Sequence, residues 1–455
     1  MGPRAPRQLS GLSVQHYREP GGKGQVLEPG VATFQALTSY LETAELDAAA
    51  LQALQAIPRM PGQPAWDLPK RLKEIGYQAM TVFFCASDEE RQTPPTLWSI
   101  RRQFPRYRNA KHFYRLHAWR LTQAEDETSV THDPYDCQII EVKQADGCVT
   151  QLHHDYRLLQ PVKLTDANGT VQQALLDAFG RVIARSVMGN ESGTQVGFGA
   201  LTAADTALHT SVEDAIQRPE TVLGHAARAA SYAVFSWMGS IARQQIRPEW
   251  IKRRYLLPDG HIRSAARPYL KARSRQLTES ERALSALIKQ ARRTPVHSLE
   301  LAADRYPGDE ARIIHMTLAF QDGAGRTLQR TQKAEPGHAY VMADNGDPAI
   351  QNSALRTAHA DPRWCVSERT DYSLEGRIVR IYRPFFSDRH HFVNAEPLRK
   401  LWHSDTQLYD PLGRPVRTLT ANATVRQTTY WAWYTISEDE NDTGSPEPTP
   451  ALPPA

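Results

Sequence analysis

The stretch Asp177-Ala178-Phe179-Gly180-Arg181-Val182 contains a pattern that returns three times along this 455-residue chain. In each copy a short polar residue is followed by two spacers, Gly, Arg and a residue that can begin a strand. The polar side chain can accept N–H groups of its own turn, and Gly can adopt the positive φ that such turns need. The later copies are Asp322-Gly323-Ala324-Gly325-Arg326-Thr327, Ser373-Leu374-Glu375-Gly376-Arg377-Ile378 and Asp410-Pro411-Leu412-Gly413-Arg414-Pro415.

Four copies of one turn predict a repeat architecture of β-hairpins. The copies are irregularly spaced, which favours a broad, curled sheet with insertions over a strict solenoid. We therefore predict a mainly β fold built on broad, curled sheets of hairpins with helical insertions. The expected structural turn residues are Asp177, Gly180, Arg181, Asp322, Gly325, Arg326, Gly376, Arg377, Tyr409, Asp410, Gly413 and Arg414.

The distribution of turn signals, apolar runs and basic residues divides the chain into regions. Turn signals at Asp146-Gly147 and Asn168-Gly169 separate short apolar runs, as expected of successive hairpins. The predicted regions are a mixed N-terminal region (1–130), hairpins (131–204), a basic helical insertion (205–295), hairpins again (296–440) and a disordered Pro-rich tail (441–455).

Helical spacing of apolar residues predicts helices near 32–57 and within 205–295. The run Thr278-Glu279-Ser280-Glu281 has the form of a capping box that starts a helix. The apolar run MTVFFC at 80–85 suits a buried strand.

Composition sets broad limits on function. The net charge of +4 implies little, but residues 241–293 contain fourteen Lys and Arg against four Asp and Glu. No apolar run is long enough to span a membrane, and the N-terminus lacks the apolar stretch of a secretory signal. The four cysteines have no CxxC spacing, so we expect buried free thiols, although Cys137 and Cys148 could face each other across a hairpin.

No catalytic motif is recognisable, so we do not expect an enzyme, and we expect no cofactor and no metal. The pairs His153-His154 and His390-His391 could be ligands, but neighbouring residues on a strand point to opposite faces, which favours a structural role. The acidic run at 438–442 lacks the features of a calcium loop and is interpreted as a solvated charge cluster.

Two segments leave alternatives open. The basic segment 241–293, with Tyr255 and Tyr269, could bind nucleic-acid phosphates, although a solvated insertion is favoured and nucleic acid is not the expected partner. Trp431, Trp433 and Tyr434 could form a carbohydrate platform or a partner interface; on a strand, the two tryptophans would share one face.

Longer stretches resemble a known family. Tyr409-Asp410-Pro411-Leu412-Gly413-Arg414 is similar to the YD-repeat signature of Rhs-type proteins. The C-terminal block resembles the C-terminal portion of the B subunit of bacterial insecticidal Tc toxin complexes, the SpvB/TcaC-like family. The similar stretches are DYRLLQP at 155–161, DANGTVQQALLDAFGRVIARSVMG at 166–189, FSWMG at 235–239, FQDGAGRTLQR at 320–330, RPFFSD at 383–388 and YWAWYTISEDENDT at 430–443.

The resemblance implies a non-enzymatic shell component, part of a β-sheet cocoon that encloses a cytotoxic polypeptide together with a Rhs-like C subunit. It also implies an indirect link to the pore-forming A subunit, no membrane insertion by this chain, and secretion as part of the complex without a signal peptide of its own. The family's B subunit has an N-terminal SpvB-like region and a β-propeller, and this chain is too short to contain them.

Overall fold

The structure is a computed structural model, and it describes residues 11–20, 24–57, 67–80, 97–202, 210–343, 346–352, 354–394, 396, 398–399 and 402–443. Most of the run predicted as a strand at 80–85, including Cys85, and most of the Pro-rich tail lie outside these residues. The chain forms two compact units. One comprises residues 1–173 and 189–195, and the other comprises residues 174–188 and 196–455.

The first unit contains a four-stranded antiparallel sheet in the order β1-β2-β4-β3. Its strands are β1 (Ser13–Arg18), β2 (Leu37–Leu46), β3 (Tyr77–Met80) and β4 (Leu97–Arg102), and two helices accompany them, α1 (Ala48–Gln55) and α2 (Leu68–Glu74).

The helix predicted near 32–57 is therefore wrong in its first half, where β2 lies, and correct for α1. Strand β2 is paired on both sides, with β1 and with β4, so pairing within the sheet overrides the helical spacing of Leu37 and Leu41. The buried Glu42 of β2 accepts hydrogen bonds from Ser99 at 2.5 Å and contacts His16 Nε2 at 2.7 Å.

The first unit also contains a run of antiparallel strands, each paired with the next. They are β5 (Phe104–Tyr107), β6 (Leu116–Arg120), β7 (Thr128–His132), β8 (Ile139–Lys143), β9 (Val149–Asp155), β10 (Gln160–Thr165) and the first half of β11 (Val171–Leu176). The predicted turns at Asp146 and Asn168 are confirmed as the β8–β9 and β10–β11 connections.

The second unit is built on a large antiparallel sheet, which confirms the mainly β prediction. Strand β14 pairs with β12 and β15, and the sheet continues through β16 and β17 to β22. Strand β22 then pairs with β23 and β24 along different parts of its length. From β23 the pairing continues through β25, β26 and β27 to β28.

The strands from β12 onward have the following bounds: β12 (Val182–Glu191), β13 (Thr194–Gly197), β14 (Arg228–Ala233), β15 (Val296–Ala303), β16 (Ile314–Gln321), β17 (Thr327–Ala334), β18 (Gly337–Tyr340), β19 (Ile350–Gln351), β20 (Ala354–Leu355), β21 (Thr357–Ala360), β22 (Arg363–Tyr372), β23 (Ile378–Tyr382), β24 (Phe385–Ser387), β25 (Ser404–Tyr409), β26 (Pro415–Leu419), β27 (Val425–Tyr430) and β28 (Thr435–Glu438).

The core of the second unit lies on one face of β14–β16, where Leu299, Leu301 and Leu318 are fully buried. Two short helices, α3 (Val212–Gln217) and α4 (Pro219–Leu223), supply further residues to the same cluster. A second cluster around Tyr382, Phe385 and Leu398 lies near β22 and β24.

A helical insertion separates β14 from β15. It contains α5 (Pro248–Lys252), α6 (Ala266–Ala272) and α7 (Glu279–Gln290), and short 3-10 turns precede them. The predicted capping box is confirmed, because Thr278 and Glu281 exchange side-chain and backbone hydrogen bonds at the start of α7. The prediction of helix throughout 205–295 is wrong at residues 228–233, which form β14 because they pair with β15 along their full length.

Two predictions about cysteine are wrong. Cys137 and Cys148 are free and exposed, not buried, and Cys365 is half-buried. The two exposed thiols lie at opposite ends of β8, Cys137 before it and Cys148 after it, so they do not face each other across the hairpin. Within the described part of the chain, no helix is long and apolar enough to span a bilayer.

Candidate functional site

Each Asp-x-x-Gly-Arg turn is closed by its own acidic residue. Asp177 Oδ1 accepts the N–H groups of Phe179 and Arg181 at 2.8 and 2.9 Å, and its Oδ2 accepts Arg181 Nε at 2.7 Å. Asp322 bonds Arg326, and Asp410 bonds Arg414, in the same way, with an Nε to Oδ2 distance of 2.7 Å in both. The turn is thus a closed ring of backbone and charge-assisted hydrogen bonds.

These bonds favour the ionised carboxylate. For Asp177 and Asp322, partial burial alone would raise the pKa, but the bonds from the Arg side chain and the backbone outweigh it and hold the pKa below its usual value. For Asp410, the backbone N–H of Arg414 is the largest influence in the same direction. At neutral pH all three turns contain an ion pair.

The turn at 373–377 uses Ser in place of Asp. Ser373 Oγ accepts the Arg377 N–H at 3.2 Å, and Arg377 pairs instead with the exposed Glu375 at 3.3 Å. The backbone geometry is preserved, since Gly376 N–H still bonds Ser373 O at 2.9 Å.

The arginine of each turn lies on the ring of a tyrosine from a neighbouring strand. In all four cases, the strand that follows the turn is paired with the strand that carries the tyrosine. The distances from guanidinium carbon to ring centroid are 4.4 Å for Arg181 and Tyr232, 4.6 Å for Arg326 and Tyr372, 5.7 Å for Arg377 and Tyr409, and 4.4 Å for Arg414 and Tyr430. These are cation–π distances.

The tyrosine hydroxyl completes the contact. In every case it donates to the carbonyl of the residue directly after the arginine. The acceptors are Val182 at 2.8 Å for Tyr232, Thr327 at 3.1 Å for Tyr372, Ile378 at 2.7 Å for Tyr409 and Pro415 at 3.1 Å for Tyr430. One aromatic side chain therefore covers the guanidinium and anchors the start of the next strand.

The last three turns are linked in series. Tyr372 and Tyr409, which cover Arg326 and Arg377, stand directly before the turns at 373–377 and 410–414. The same arginines lie against the glycines of those turns: a Cβ added at Gly413 would stand 2.5 Å from Arg377, and one at Gly376 would meet the Arg326 guanidinium. We call these three linked turns (322–326, 373–377 and 410–414), with their arginines, the tyrosines that cover those arginines and the glycines that the arginines contact, the turn relay.

Sequence reasoning found the turns but missed most of the tyrosines. Only Tyr409 was predicted, because it belongs to the YD signature. Tyr372 could have been found by its position before Ser373, which matches the position of Tyr409 before Asp410. Tyr232 and Tyr430 have no local sequence signal, because strand pairing alone brings them to Arg181 and Arg414.

The relay ends at an aromatic hairpin turn. Tyr430 ends β27, and Trp431, Trp433 and Tyr434 lie in the turn before β28, so the prediction that the tryptophans share one face of a strand is wrong. Trp431 stacks on Tyr434 with ring centroids 5.8 Å apart, and Trp433 is 94% exposed. Together with the half-exposed Ile436, these side chains form what we call the aromatic tip.

The histidine pairs differ from each other. His153 is exposed and His154 buried on β9, on opposite faces as expected. His390 and His391 lie outside the strands and stack with ring centroids 4.4 Å apart, so the strand assumption does not apply to them. In the described ranges no group of three or more His, Cys, Asp or Glu side chains could hold a metal ion.

Burial lowers the pKa of His390 to about 4, with His391, His297 and Arg292 adding repulsion. The His390 ring lies 5.3 Å from that of the buried Trp364. His390 is therefore neutral in the folded protein at neutral pH.

The sequence matches no protein-family model and no curated protein sequence. Solved structures of similar fold include the crystal structures of TcdB2-TccC3-Cdc42 and of TcdB2-TccC3-TEV. Each is 28% identical, covers 97% of this chain and 20% of the solved chain, and has a TM-score of 0.79. A structure of the Photorhabdus luminescens Tc holotoxin pore is also 28% identical, covering 94% of this chain and 19% of the solved chain at a TM-score of 0.77.

This chain thus spans about a fifth of the length of the solved chains that it matches. Nearly all of its own length is similar in fold and sequence to part of a Tc toxin assembly.

We expect Gly413→Ala to destabilise the protein more than Gly325→Ala. Both glycines have positive φ, 86° and 80°, so both substitutions carry a backbone cost of about 1 kcal/mol. Only Gly413 is covered by a neighbouring arginine, whereas an added Cβ at Gly325 meets nothing within 4 Å. Urea denaturation should show an additional loss of up to about 1 kcal/mol for Gly413→Ala, because Arg377 must move away and give up its contact with the Tyr409 ring.

In an Arg377→Ala background, Gly413→Ala should cost no more than Gly325→Ala does in the wild type, because the guanidinium that the added Cβ would meet is gone. Equal losses for the two glycine variants would contradict the relay.

We expect the free energy of unfolding to decrease as the pH is lowered from 6.5 to about 4, and His390 to be responsible for part of this decrease. The unfolded histidine takes up a proton near pH 6.5 and the folded one only near 4, so lowering the pH favours the unfolded state by up to ~3 kcal/mol. His390→Phe should flatten this part of the curve, measured by denaturation at several pH values. The exposed His338→Phe is the control, and an unchanged slope in His390→Phe would refute the assignment.

Proposed function

We propose that this chain is a non-enzymatic structural component of an insecticidal toxin complex. It would form part of a β-sheet shell that encloses a cytotoxic effector together with a C subunit. The observation that carries the proposal is the similarity in fold and sequence to TcdB2-TccC3 over 97% of this chain.

The turn relay supports a wall-like role. The ion pair closes each Asp-containing turn on itself, and the contacts between hairpins are the cation–π contact and the hydroxyl bond of the tyrosine. Such a sheet can be extended by repetition and stays rigid without a thick core on both faces. In this mechanism the turn residues shape the wall and take part in no bond-making step.

The aromatic tip and β28 supply the proposed partner surface. Within the described residues β28 is paired only with β27, so its other edge offers free backbone donors and acceptors. Trp431, Trp433, Tyr434 and Ile436 place exposed apolar area beside that edge. We propose that a strand of the C subunit, or of the adjoining shell, adds here and covers the aromatic tip.

The shell role also implies how the chain relates to the A subunit and where it acts. The chain would reach the pore-forming A subunit only through the rest of the assembly, and it would act outside the producing cell as part of the complex. One of the similar structures is that of a Tc holotoxin pore, which supports an extracellular assembly of this kind.

Co-expression with the C subunit of the complex tests the proposal. The two chains should elute together on size exclusion, and the double variant Trp431→Ala, Trp433→Ala should weaken the complex at least about tenfold, since buried tryptophans dominate interface energy. Phe34→Ala removes an exposed aromatic side chain from a turn of the first unit and is the matched control.

Failure of the wild-type chain to form any complex would refute the shell role. Binding of the isolated chain to glycans, abolished in the same double variant, would favour a carbohydrate-binding module instead.

A further inference from the structure

The helical insertion has a hydrophobic core of its own. Trp250, Leu256, Ile262, Leu270 and Leu284 are almost completely buried within it. Its basic residues are therefore displayed on a folded scaffold and not on a loose segment. The turn relay uses none of them.

One side of the insertion contains a cleft of about 680 Å³ between the α5–α6 connection and the start of α7. Arg253, Arg254 and Arg273 line it together with Tyr255, Tyr269 and Glu281. This volume lies within the range of small-molecule sites in proteins.

Glu281 is the one acidic side chain among the lining residues, and its acceptor capacity is already used. Its carboxylate accepts from the Thr278 N–H at 3.0 Å, from the Tyr255 hydroxyl at 2.8 Å and from Arg253 at 3.0 Å. The backbone bond from Thr278 and the hydroxyl bond from Tyr255 lower its pKa to about 2. Glu281 is thus a fixed anion that neutralises one of the three arginines.

Two positive charges remain in the cleft. Arg254 makes no side-chain hydrogen bond or ion pair with any residue that the structure describes, and its backbone is held at a φ of 61°. A non-glycine residue in this region costs conformational free energy, and such residues concentrate at binding sites. Arg273 lies over the Tyr269 ring at 5.4 Å and bonds its hydroxyl, which fixes the guanidinium at the rim.

We propose that this cleft binds a phosphate-type oxyanion, as carried by a phosphate ester the size of a mononucleotide. Guanidinium groups offer paired N–H donors that match phosphate oxygens, and the two unneutralised arginines match a doubly charged group. The exposed Tyr269 ring provides an apolar wall beside them.

Phosphate of this chemistry could come from a small phosphorylated molecule or from a nucleic-acid backbone. Three arginines that line a single cleft favour the small molecule, because a backbone-binding surface spreads its contacts along many exposed cations. None of the residues that line the cleft belongs to the aromatic tip or to β28, so its occupancy can be tested separately from the proposed shell partner.

Isothermal titration of the full chain with inorganic pyrophosphate and with ATP tests the proposal, at 50 mM and at 200 mM salt. We expect saturable one-to-one binding of both probes, weakened at least tenfold by Arg254→Ala and by Arg273→Gln. Arg275→Ala, an exposed arginine of the same insertion outside the cleft, is the matched control and should change the affinity less than twofold. Thermal unfolding checks that each variant is folded.

Three results would overturn the site. The first is no binding of either probe at millimolar concentration, and the second is a loss of affinity in Arg275→Ala as large as in Arg254→Ala. The third is a single-stranded oligonucleotide that binds far more tightly than ATP and loses affinity equally on substitution of Arg254 or Arg275. The last result would assign the insertion to nucleic acid. None of these outcomes bears on complex formation, so this inference can fail while the shell role stands.

Discussion

The guanidinium group of each Gly-Arg turn joins two neighbouring hairpins, and the large sheet of the second unit depends on this contact. In the series that begins at Asp322, the arginine is fixed by its own carboxylate, covered by a tyrosine of the adjacent strand and pressed against the glycine of the next turn. Gly376 and Gly413 therefore meet two requirements, a positive φ and the absence of a Cβ beside a guanidinium. A substitution at the arginine of one turn therefore alters the packing of the next turn.

This coupling explains how hairpins of uneven length can form one sheet. Strand registers shift at several turns, for example at Leu408/Tyr409 and Asp371/Tyr372, and in both places the tyrosine stands at the shift. Its hydroxyl bonds the strand on the opposite side from the shifted pairing, β17 for Tyr372 and β23 for Tyr409, and holds the tyrosine in place there. The position of the Tyr-Asp pair thus sets where one strand ends and the following turn begins.

Local sequence patterns predicted the local features well and the pairing-dependent features poorly. The turns and the Thr278–Glu281 capping box follow from nearby residues alone, and the structure confirms them. The sequence predicts helix where β2 and β14 lie, because the apolar spacing of these segments fits a helix as well as a strand. Only their pairing with a strand on each side decides between the two structures. The tyrosine partners of Arg181 and Arg414 are likewise set by strand pairing over 51 and 16 residues of separation.

Hydrogen exchange with mass spectrometry, comparing the wild type with Arg326→Gln, is the most direct test of the relay. Because Arg326 lies on Tyr372 and against Gly376, its loss should speed exchange at the backbone N–H groups of residues 373–377 as well as in its own turn. Arg330→Gln, which removes a surface arginine from the adjoining strand β17, should leave 373–377 unchanged. Faster exchange confined to residues 322–326 in Arg326→Gln would contradict the coupling between turns.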